Sequence, residues 1–399
     1  MVNFRATRSR MGNRAMAVFI ACFFTVLAAY SIRYSYGTLM PEMLPDLDIT
    51  KAQAGSIYAS YFFAYTLFSP IIGRLADRYS IRLIISVFMA IMGLGTFLMQ
   101  YAGSLWQASV FFGIVGLGCA ACWAPVMALT QRWASTTRRG LSLALVDAGS
   151  TIGVMAAGSL IPLLVSVADW QLGWRVLGIF GLLLAVANFV LIRDRPASGL
   201  QTQIAKEPSH IRYIQLLSDR RFWLIGIAYL LVGVSIQIPF SFLSTYAVQE
   251  LTMPYETATR LITVIGAAGL VGKLTLGPLS DRLGRIKMMI LASLLITVGC
   301  LGIAFGRSWL LFVASLIFGA GYGACWSMYA ACAGDFFSKE SSGAIIGLWT
   351  VYLGIGLIVS PIIAGWAADS SGTLMWGFII AAAAGLGTVM ALAPLYGKK

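Results

Sequence analysis

The feature that most constrains this chain is a short loop sequence that occurs twice, each time between two apolar runs. The members shared by both copies are a glycine and an Asp-Arg pair: Gly73, Asp77 and Arg78, then Gly277, Asp281 and Arg282. The offset between the copies is 204 residues, about half of the 399-residue chain. Residues 116–118 and 121–123 are echoed 203 residues later, at 319–321 and 324–326. Two unrelated motifs at nearly one spacing indicate a duplicated unit.

The composition places this duplicated unit in a membrane. The chain is 59% hydrophobic and only 11% charged, whereas a soluble domain carries about 25% charged residues. Apolar runs of about 20 residues recur along the whole length, which is the length that a membrane-spanning helix needs. Continuous rather than alternating apolar runs exclude an outer-membrane barrel. We therefore predict an all-α membrane protein.

The apolar runs predict twelve helical spans in two pseudo-symmetric six-helix bundles. Residues 1–192 form the first bundle, 193–221 a polar cytoplasmic linker, and 222–399 the second bundle. The predicted spans are 15–39, 55–72, 83–101, 105–129, 141–165, 176–192, 222–248, 257–276, 286–305, 309–334, 343–367 and 375–396.

The positive charge follows the predicted topology. With the N-terminus inside, 22 of the 28 Lys and Arg residues fall on the inner side of the spans. This bias places both termini in the cytoplasm and the protein in the cell (inner) membrane. The net charge of +13 is therefore a topology signal, and we expect no nucleic-acid partner.

Several chemistries find no support in the sequence. The six cysteines all lie in apolar runs, and the chain has one histidine, so we expect no disulfide framework and no metal site. No nucleophile–base pair or phosphate-binding Gly-x-x-x-x-Gly-Lys-Ser/Thr loop is present. We expect no enzyme and no cofactor, but a monomeric protein that moves a small molecule by using an ion or substrate gradient.

The repeated loop has a mechanical interpretation. Gly73 and Gly277 would let neighbouring helices approach closely. Asp77 and Asp281 would accept from Arg78 and Arg282, or cap the next helix, and so latch the halves in one state. The complete second copy continues to Gly284 and Arg285. A plain basic loop that only sets topology is the alternative.

With this loop after spans 2 and 8, the chain resembles the major facilitator superfamily over its whole length. The first copy departs from the family pattern, because Ser80 and Ile81 stand where Gly and Arg are usual. The resemblance implies two six-helix bundles that rock about a central site by alternating access. It further implies that spans 1, 4, 7 and 10 line the cavity and that spans 5 and 8 meet across the halves.

Arg33 lies about 18 residues into the first span, where a charge costs about 2.5–3.5 kcal/mol on insertion scales. Together with Tyr30 and Tyr34 it forms a donor-rich group that suits carboxylate or phosphate. Snorkelling to the outer interface is the alternative. The segment around Arg33, together with Met40 and Pro41, is similar to the first span of organophosphate/phosphate antiporters. Those carriers use a second arginine from span 7, where this chain offers only Gln237.

Lys273 and Asp147 lie at equal depth on spans 8 and 5, which suggests an interdomain pair that breaks or is protonated as the carrier changes state. A static neutralising pair is the alternative. The Lys273 segment resembles monocarboxylate and oxalate/formate carriers, which usually have an arginine there for the substrate carboxylate. Aromatic residues on the spans are further candidates for lining the cavity: Tyr61, Tyr65, Trp123, Trp326, Tyr329 and Tyr352.

These residues favour a secondary transporter of a small organic anion, plausibly a monocarboxylate, moved with a proton or by exchange. An organophosphate/phosphate antiporter is one alternative. A drug/proton antiporter is another, but that group carries an arginine in span 4 where this chain has Phe112. A receptor built on a transporter scaffold would bind the anion without moving it.

Overall fold

A computed structural model describes residues 2–135, 139–194, 216, 218–337 and 342–396. These ranges contain thirteen α-helices, numbered here in chain order: α1 Val2–Asp46, α2 Lys51–Arg78, α3 Ile81–Leu98, α4 Leu105–Cys119, α5 Ala124–Trp133, α6 Arg139–Val165, α7 Trp170–Leu191, α8 Arg220–Thr245, α9 Tyr255–Leu283, α10 Arg285–Phe305, α11 Trp309–Phe336, α12 Ser342–Ser371 and α13 Met375–Leu392. Because α4 and α5 form one span, the described chain has the predicted all-α architecture of twelve spans.

Eleven spans in the described ranges are long and apolar enough to cross a membrane, with the α4–α5 segment counted as one. The twelfth is α2, whose 28 residues would extend about 42 Å at the usual helical rise. That length exceeds a hydrocarbon core of about 30 Å. Tyrosine, serine and threonine side chains reduce the hydropathy of α2, and several of them face the centre of the protein.

Two helix boundaries differ from those predicted. The first helix does not end before Pro41 but continues through Pro41 and Pro45 to Asp46, since a helix that is packed on several sides tolerates the hydrogen bond that each proline removes. The fourth span is not continuous. It stops at Cys119, turns through residues 120–123, and restarts as α5 with Pro125 near its first position, where a proline is well accommodated.

Small residues let the two halves pack closely at their interface. A Cβ atom at Gly158 of α6 would lie only 2.5 Å from Thr263 N of α9, and one at Gly266 of α9 would lie 2.7 Å from Met155 Cγ of α6. Backbones can approach this closely only where side chains are absent. Spans 5 and 8 therefore meet across the halves, as the family resemblance implies.

The two ends of the molecule differ. We call the end that carries the two repeated loops the basic face, and the opposite end the far face. At the far face α2 lies against α12, so that a Cβ at Gly365 would collide with the Lys51 backbone. Toward the basic face, beyond the Lys273–Asp147 contact, the hydrogen bonds from Trp133 to Arg193 and from Arg285 to Asp335 each stay within one half.

In the second copy of the repeated loop, the ion pairs between described residues stay within the second half and do not latch the two halves together. Asp281 pairs with Arg285 rather than with Arg282, and Arg285 Nε also lies 3.0 Å from Asp335 Oδ2 in the same half. A Cβ at Gly73 would meet nothing within 4 Å, and one at Gly277 only Ser327 Oγ at 3.7 Å. The expectation that these glycines allow close helix approach is therefore wrong here.

Two further parts of the loop are local. Gly284 has a φ of 101°, a conformation that favours glycine, and it ends α9 immediately before α10 begins. Arg78 lies at the end of α2, while the side chain of Asp77 lies outside the described residues. A tie between Asp77 and its neighbours stays a prediction.

Candidate substrate-binding site

Arg33 lies in the middle of α1 and is buried, with 7% of its surface exposed. It does not reach a headgroup region, because its Nε donates to Tyr61 Oη at 2.8 Å and its Nη2 lies 3.5 Å from Cys119 Sγ. The partners come from α2 and from the end of α4. The side chain therefore points into the first half rather than toward lipid, which contradicts the snorkelling alternative.

Four aromatic rings surround the guanidinium. The distances from Arg33 Cζ to the ring centroids are 4.8 Å for Tyr30, 5.0 Å for Tyr65, 5.4 Å for Tyr61 and 5.7 Å for Phe62. The electron-rich faces of such rings attract a cation, more strongly where water is excluded. This cage holds the arginine in place without neutralising its charge.

Among the described residues, no carboxylate forms an ion pair with Arg33. A guanidinium has five N–H donors, and the hydrogen bonds of Arg33 to Tyr61 and Cys119 use two of its nitrogens. A buried charge of this kind is costly unless something pairs with it. The arrangement leaves both charge and donors for an anion.

Lys273 and Asp147 are in contact across the halves. Lys273 Nζ lies 2.7 Å from Asp147 Oδ2 and 3.0 Å from Ser150 Oγ, and the two charged side chains are 17% and 29% exposed. The other carboxylate oxygen, Asp147 Oδ1, accepts from Trp123 Nε1 at 3.2 Å. Trp123 follows the break between α4 and α5, so the break places this indole beside the pair.

A second contact between the halves lies near the level of Arg33. The hydroxyls of Tyr34 on α1 and Tyr322 on α11 are 3.4 Å apart, and the Tyr34 ring lies 4.2 Å from that of Phe240 on α8. Tyr34 follows Arg33 in α1, so this contact joins the two halves within one residue of the arginine along the chain.

The second half contributes an aromatic wall. Trp326 lies on the same face of α11 as Tyr322, and the Tyr329 ring stacks on that of Tyr229 with a centroid distance of 4.2 Å. Trp326 Nε1 and Tyr329 Oη are buried and have no hydrogen-bond partner among the described residues. They are therefore available as hydrogen-bond donors in the centre of the protein.

The other predicted residues lie apart from this centre or are already satisfied. Gln237 is 1% exposed, and its amide donates to Ser241 Oγ on the next turn of α8 at 3.1 Å. Tyr352 packs against Trp223 and Phe222 near the start of α8, at ring distances of 6.1 and 6.4 Å. We find no contact of either residue with Arg33 or Lys273 within the described parts of the chain.

Sequence reasoning missed four residues that shape the site. Cys119 contacts Arg33, Tyr58 Oη donates to the Arg33 backbone oxygen at 2.8 Å, Tyr322 meets Tyr34, and Ser150 accepts from Lys273. Tyr58 was accessible to the same argument as Tyr61 and Tyr65, because residues 58, 61 and 65 recur at helical spacing on α2. The other contacts depend on tertiary packing.

The sequence profile described as Major Facilitator Superfamily matches residues 22–275 and 256–398. The chain thus has the all-helical fold of a multi-pass membrane protein, and it belongs to the major facilitator superfamily. Two solved structures share the fold. A mutant of the nucleoside transporter NupG has a TM-score of 0.81 at 14% identity, covering 95% of this chain and 100% of the other. A bacterial homologue of the lysosomal transporter Spinster has 0.75 at 15%, covering 95% and 96%.

Among curated relatives, a probable hexose phosphate transport protein of Chlamydia trachomatis is 25% identical over 87% of this chain and 84% of its own length. The membrane sensor protein UhpC of Escherichia coli is 26% identical over 91% and 88%. Monocarboxylate transporter 12 of Xenopus laevis is 22% identical over 92% and 86%. The names of these relatives refer to a phosphate ester in one case and to monocarboxylates in another, and a third relative is named as a sensor.

Proposed function

We propose that this multi-pass membrane transporter carries a small organic anion and that Arg33 binds the anionic group. The single observation behind this proposal is a 7%-exposed guanidinium with no carboxylate partner among the described residues. A bound carboxylate would supply the missing charge and accept from the free N–H groups in a bidentate manner. Trp326 Nε1 and Tyr329 Oη would donate to the remainder of the substrate from the second half.

The charge of the site favours a substrate with one negative charge. Lys273 and Asp147 neutralise each other at 2.7 Å, so Arg33 leaves a net charge of +1 at the centre. A monocarboxylate balances that charge. A phosphate monoester carries about −1.5 to −2 at neutral pH, as a phosphorylated side chain does, and would need a second cation.

A phosphate ester is the second candidate, because relatives named as hexose phosphate transport proteins align with most of this chain. In that case Lys273 must leave Asp147 and turn to the substrate. The two candidates therefore differ at one residue. Monocarboxylate binding requires Arg33 only, whereas phosphate ester binding requires Arg33 and Lys273.

A ligand screen on purified protein tests the proposal. Acetate, lactate, pyruvate, inorganic phosphate and glucose 6-phosphate are each added, and the shift in apparent unfolding temperature is recorded for the parent, Arg33→Gln, and the double variant Asp147→Asn/Lys273→Met. We expect a shift with a monocarboxylate that persists in the double variant and disappears in Arg33→Gln. A shift with glucose 6-phosphate that disappears in the double variant identifies the second candidate.

Binding and movement are separated in proteoliposomes. Uptake of the ligand found in the screen identifies a transporter, while binding without flux identifies a receptor on the same scaffold. If none of the anions shifts the apparent unfolding temperature, the proposal is contradicted and a drug/proton antiporter is favoured instead. At the position where that group carries an arginine, this chain has Phe112. Phe112 is fully buried, and its ring lies 4.7 Å from that of Tyr36.

We further propose that Asp147 takes up a proton during the cycle, which would couple the anion to a proton. The carboxylate contacts Lys273 and Trp123 and is 29% exposed, so both water and a basic partner reach it. Uptake measured against pH in the parent and in Asp147→Asn tests this. A pH response that is identical in the two proteins rejects coupling through Asp147 and leaves exchange as the mode of transport.

A further inference from the structure

Three contacts tie the two halves together at the far face. Lys51 Nζ of α2 lies 2.9 Å from Glu250 Oε1 after α8. The backbone N–H groups of Lys51 and Ala52 donate to the two carboxylate oxygens of Asp369 on α12, at 3.1 and 2.9 Å. Tyr255 Oη of α9 donates to Thr38 O of α1 at 3.0 Å. The first two contacts both converge on the N-terminus of α2.

Glu250 is positioned by its own half of the protein. It ends a single π-helical turn, Tyr246–Glu250, that follows α8. Thr373 Oγ1 and Leu374 N, just before α13, donate to its carboxylate at 2.6 and 2.8 Å. The hydrogen bonds within the second half therefore hold the Glu250 carboxylate in place even when α2 moves away. Lys51 is the partner that the first half contributes.

Lys51 and Asp369 both occupy helix ends that disfavour their charges. Lys51 is the first residue of α2, where the helix macrodipole is positive, and Asp369 lies in the last turn of α12, where it is negative. Among the described residues, each charge finds its compensating partner in the opposite half. Lys51 pairs with Glu250, and Asp369 caps the N-terminus of α2.

We propose that Lys51 and Asp369 form a state-selective lock that stabilises the conformation closed at the far face. When the halves separate there, both charges lose their partners but keep their unfavourable positions in their own helices. A charge at the favourable end of its helix would be stabilised by that helix in both the closed and the open conformation. Its contact with the other half would then favour the closed conformation less strongly. The lock involves neither Arg33 nor the substrate, and it goes beyond the proposed transport of an anion.

The lock also has a consequence for binding. A ligand that enters from the far face binds only the fraction of molecules that are open on that side. Its apparent affinity falls in proportion to that fraction. Weakening the lock should therefore raise the apparent affinity from the far face without any change in the residues that contact the ligand.

The test uses Ser244 as a reporter position. Ser244 lies one turn beyond Phe240 on α8, the residue whose backbone oxygen meets Gly37 of α1. Its side chain is 1% exposed, and its hydroxyl has no partner among the described residues. In Ser244→Cys, the rate of reaction with a maleimide reports opening of the far face, and the parent with its native cysteines gives the background.

In this background, Asp369→Ala and Lys51→Met should each raise the labelling rate about fivefold, the factor expected from the loss of one helix cap or partly buried ion pair. Asp369→Asn, which keeps an acceptor oxygen but no charge, should give a smaller rise. It also serves as a nearly isosteric variant if the alanine variant folds poorly.

Asp169→Ala is the matched control. Asp169 is also a far-face carboxylate that caps a helix, because it accepts from Leu172 N at 2.9 Å, but both partners belong to the first half. Its loss should leave the labelling rate unchanged. Labelling that stays at the parent rate in Asp369→Ala, Asp369→Asn and Lys51→Met overturns the lock, and so does an equal rise in Asp169→Ala, which would indicate general loosening.

Discussion

Arg33 and Lys273 are both cationic residues within membrane spans, but the protein surrounds them differently. Lys273 has a carboxylate partner at 2.7 Å and partial access to water, so its charge is balanced inside the protein. Arg33 has aromatic rings, one phenol and one thiol around it, so its position is fixed but its charge is not balanced. Under the proposed function, we therefore expect Arg33 rather than Lys273 to bind the anion.

The largest effect is expected at Arg33. Arg33→Gln removes the charge and the bidentate donors, and charge-assisted hydrogen bonds of this kind contribute about 1.5–3 kcal/mol each. The affinity for the anion should fall by a factor of about a hundred or more. Isothermal titration of purified protein measures the fall. Arg33→Lys is the control that keeps charge without the planar fork, and an affinity equal to that of the parent in Arg33→Gln would remove Arg33 from the site.

The next effect concerns stability. Lys273→Met leaves Asp147 without its partner, and because the pair is only partly buried we expect a loss of about 2 kcal/mol rather than the larger values for fully buried pairs. The double variant with Asp147→Asn should recover most of it. Thermal unfolding measures both. A Lys273→Met variant as stable as the parent would show that the contact adds nothing to the folded state.

A smaller effect is expected at Tyr61. Tyr61→Phe removes the acceptor 2.8 Å from Arg33 Nε while it keeps the ring, so the guanidinium loses orientation and not charge. One hydrogen bond contributes about 1 kcal/mol, and the affinity for the anion should fall about fivefold. Tyr246→Phe is a suitable control, since Tyr246 follows the end of α8 and its hydroxyl donates to Ala304 O of α10 within the second half.

The smallest effect is expected at Tyr65. Tyr65→Phe keeps a ring 5.0 Å from Arg33 Cζ, and phenylalanine provides a similar electron-rich face. The affinity should change less than about twofold by that argument. A large loss of affinity would mean that the Tyr65 hydroxyl itself contacts the anion. The anion site would then consist of Arg33 and Tyr65 rather than of Arg33 alone.

The twelve-span architecture follows from the sequence because lipid imposes a simple rule. Every backbone group must be satisfied within the span, so apolar length alone indicates each helix. The duplicated loops add the symmetry, and the family profile confirms the superfamily. The domain boundary within 193–221 and the placement of both termini in the cytoplasm stay predictions.

The site was predicted in part, and the reason is again physical. A charge within a span is rare enough to be conspicuous, which is why Arg33, Lys273 and Asp147 could be named from sequence alone. Residues that act through shape have no such signal. The break after Cys119 and the approach of Phe240 to Tyr34 depend on how helices pack, and the Asp281 partner depends on which arginine the turn at Gly284 presents.

The turn between α4 and α5 gives the two charge centres a common mechanical element. Cys119 at its start contacts Arg33, and Trp123 at its end donates to Asp147. Only residues 120–122 separate them, and the backbone N–H groups of these three residues donate to the carbonyl oxygens three residues earlier, so the chain is wound more tightly here than in an α-helix. We therefore expect a ligand that displaces Cys119 at Arg33 to shift Trp123 as well, and with it one hydrogen-bond donor to Asp147.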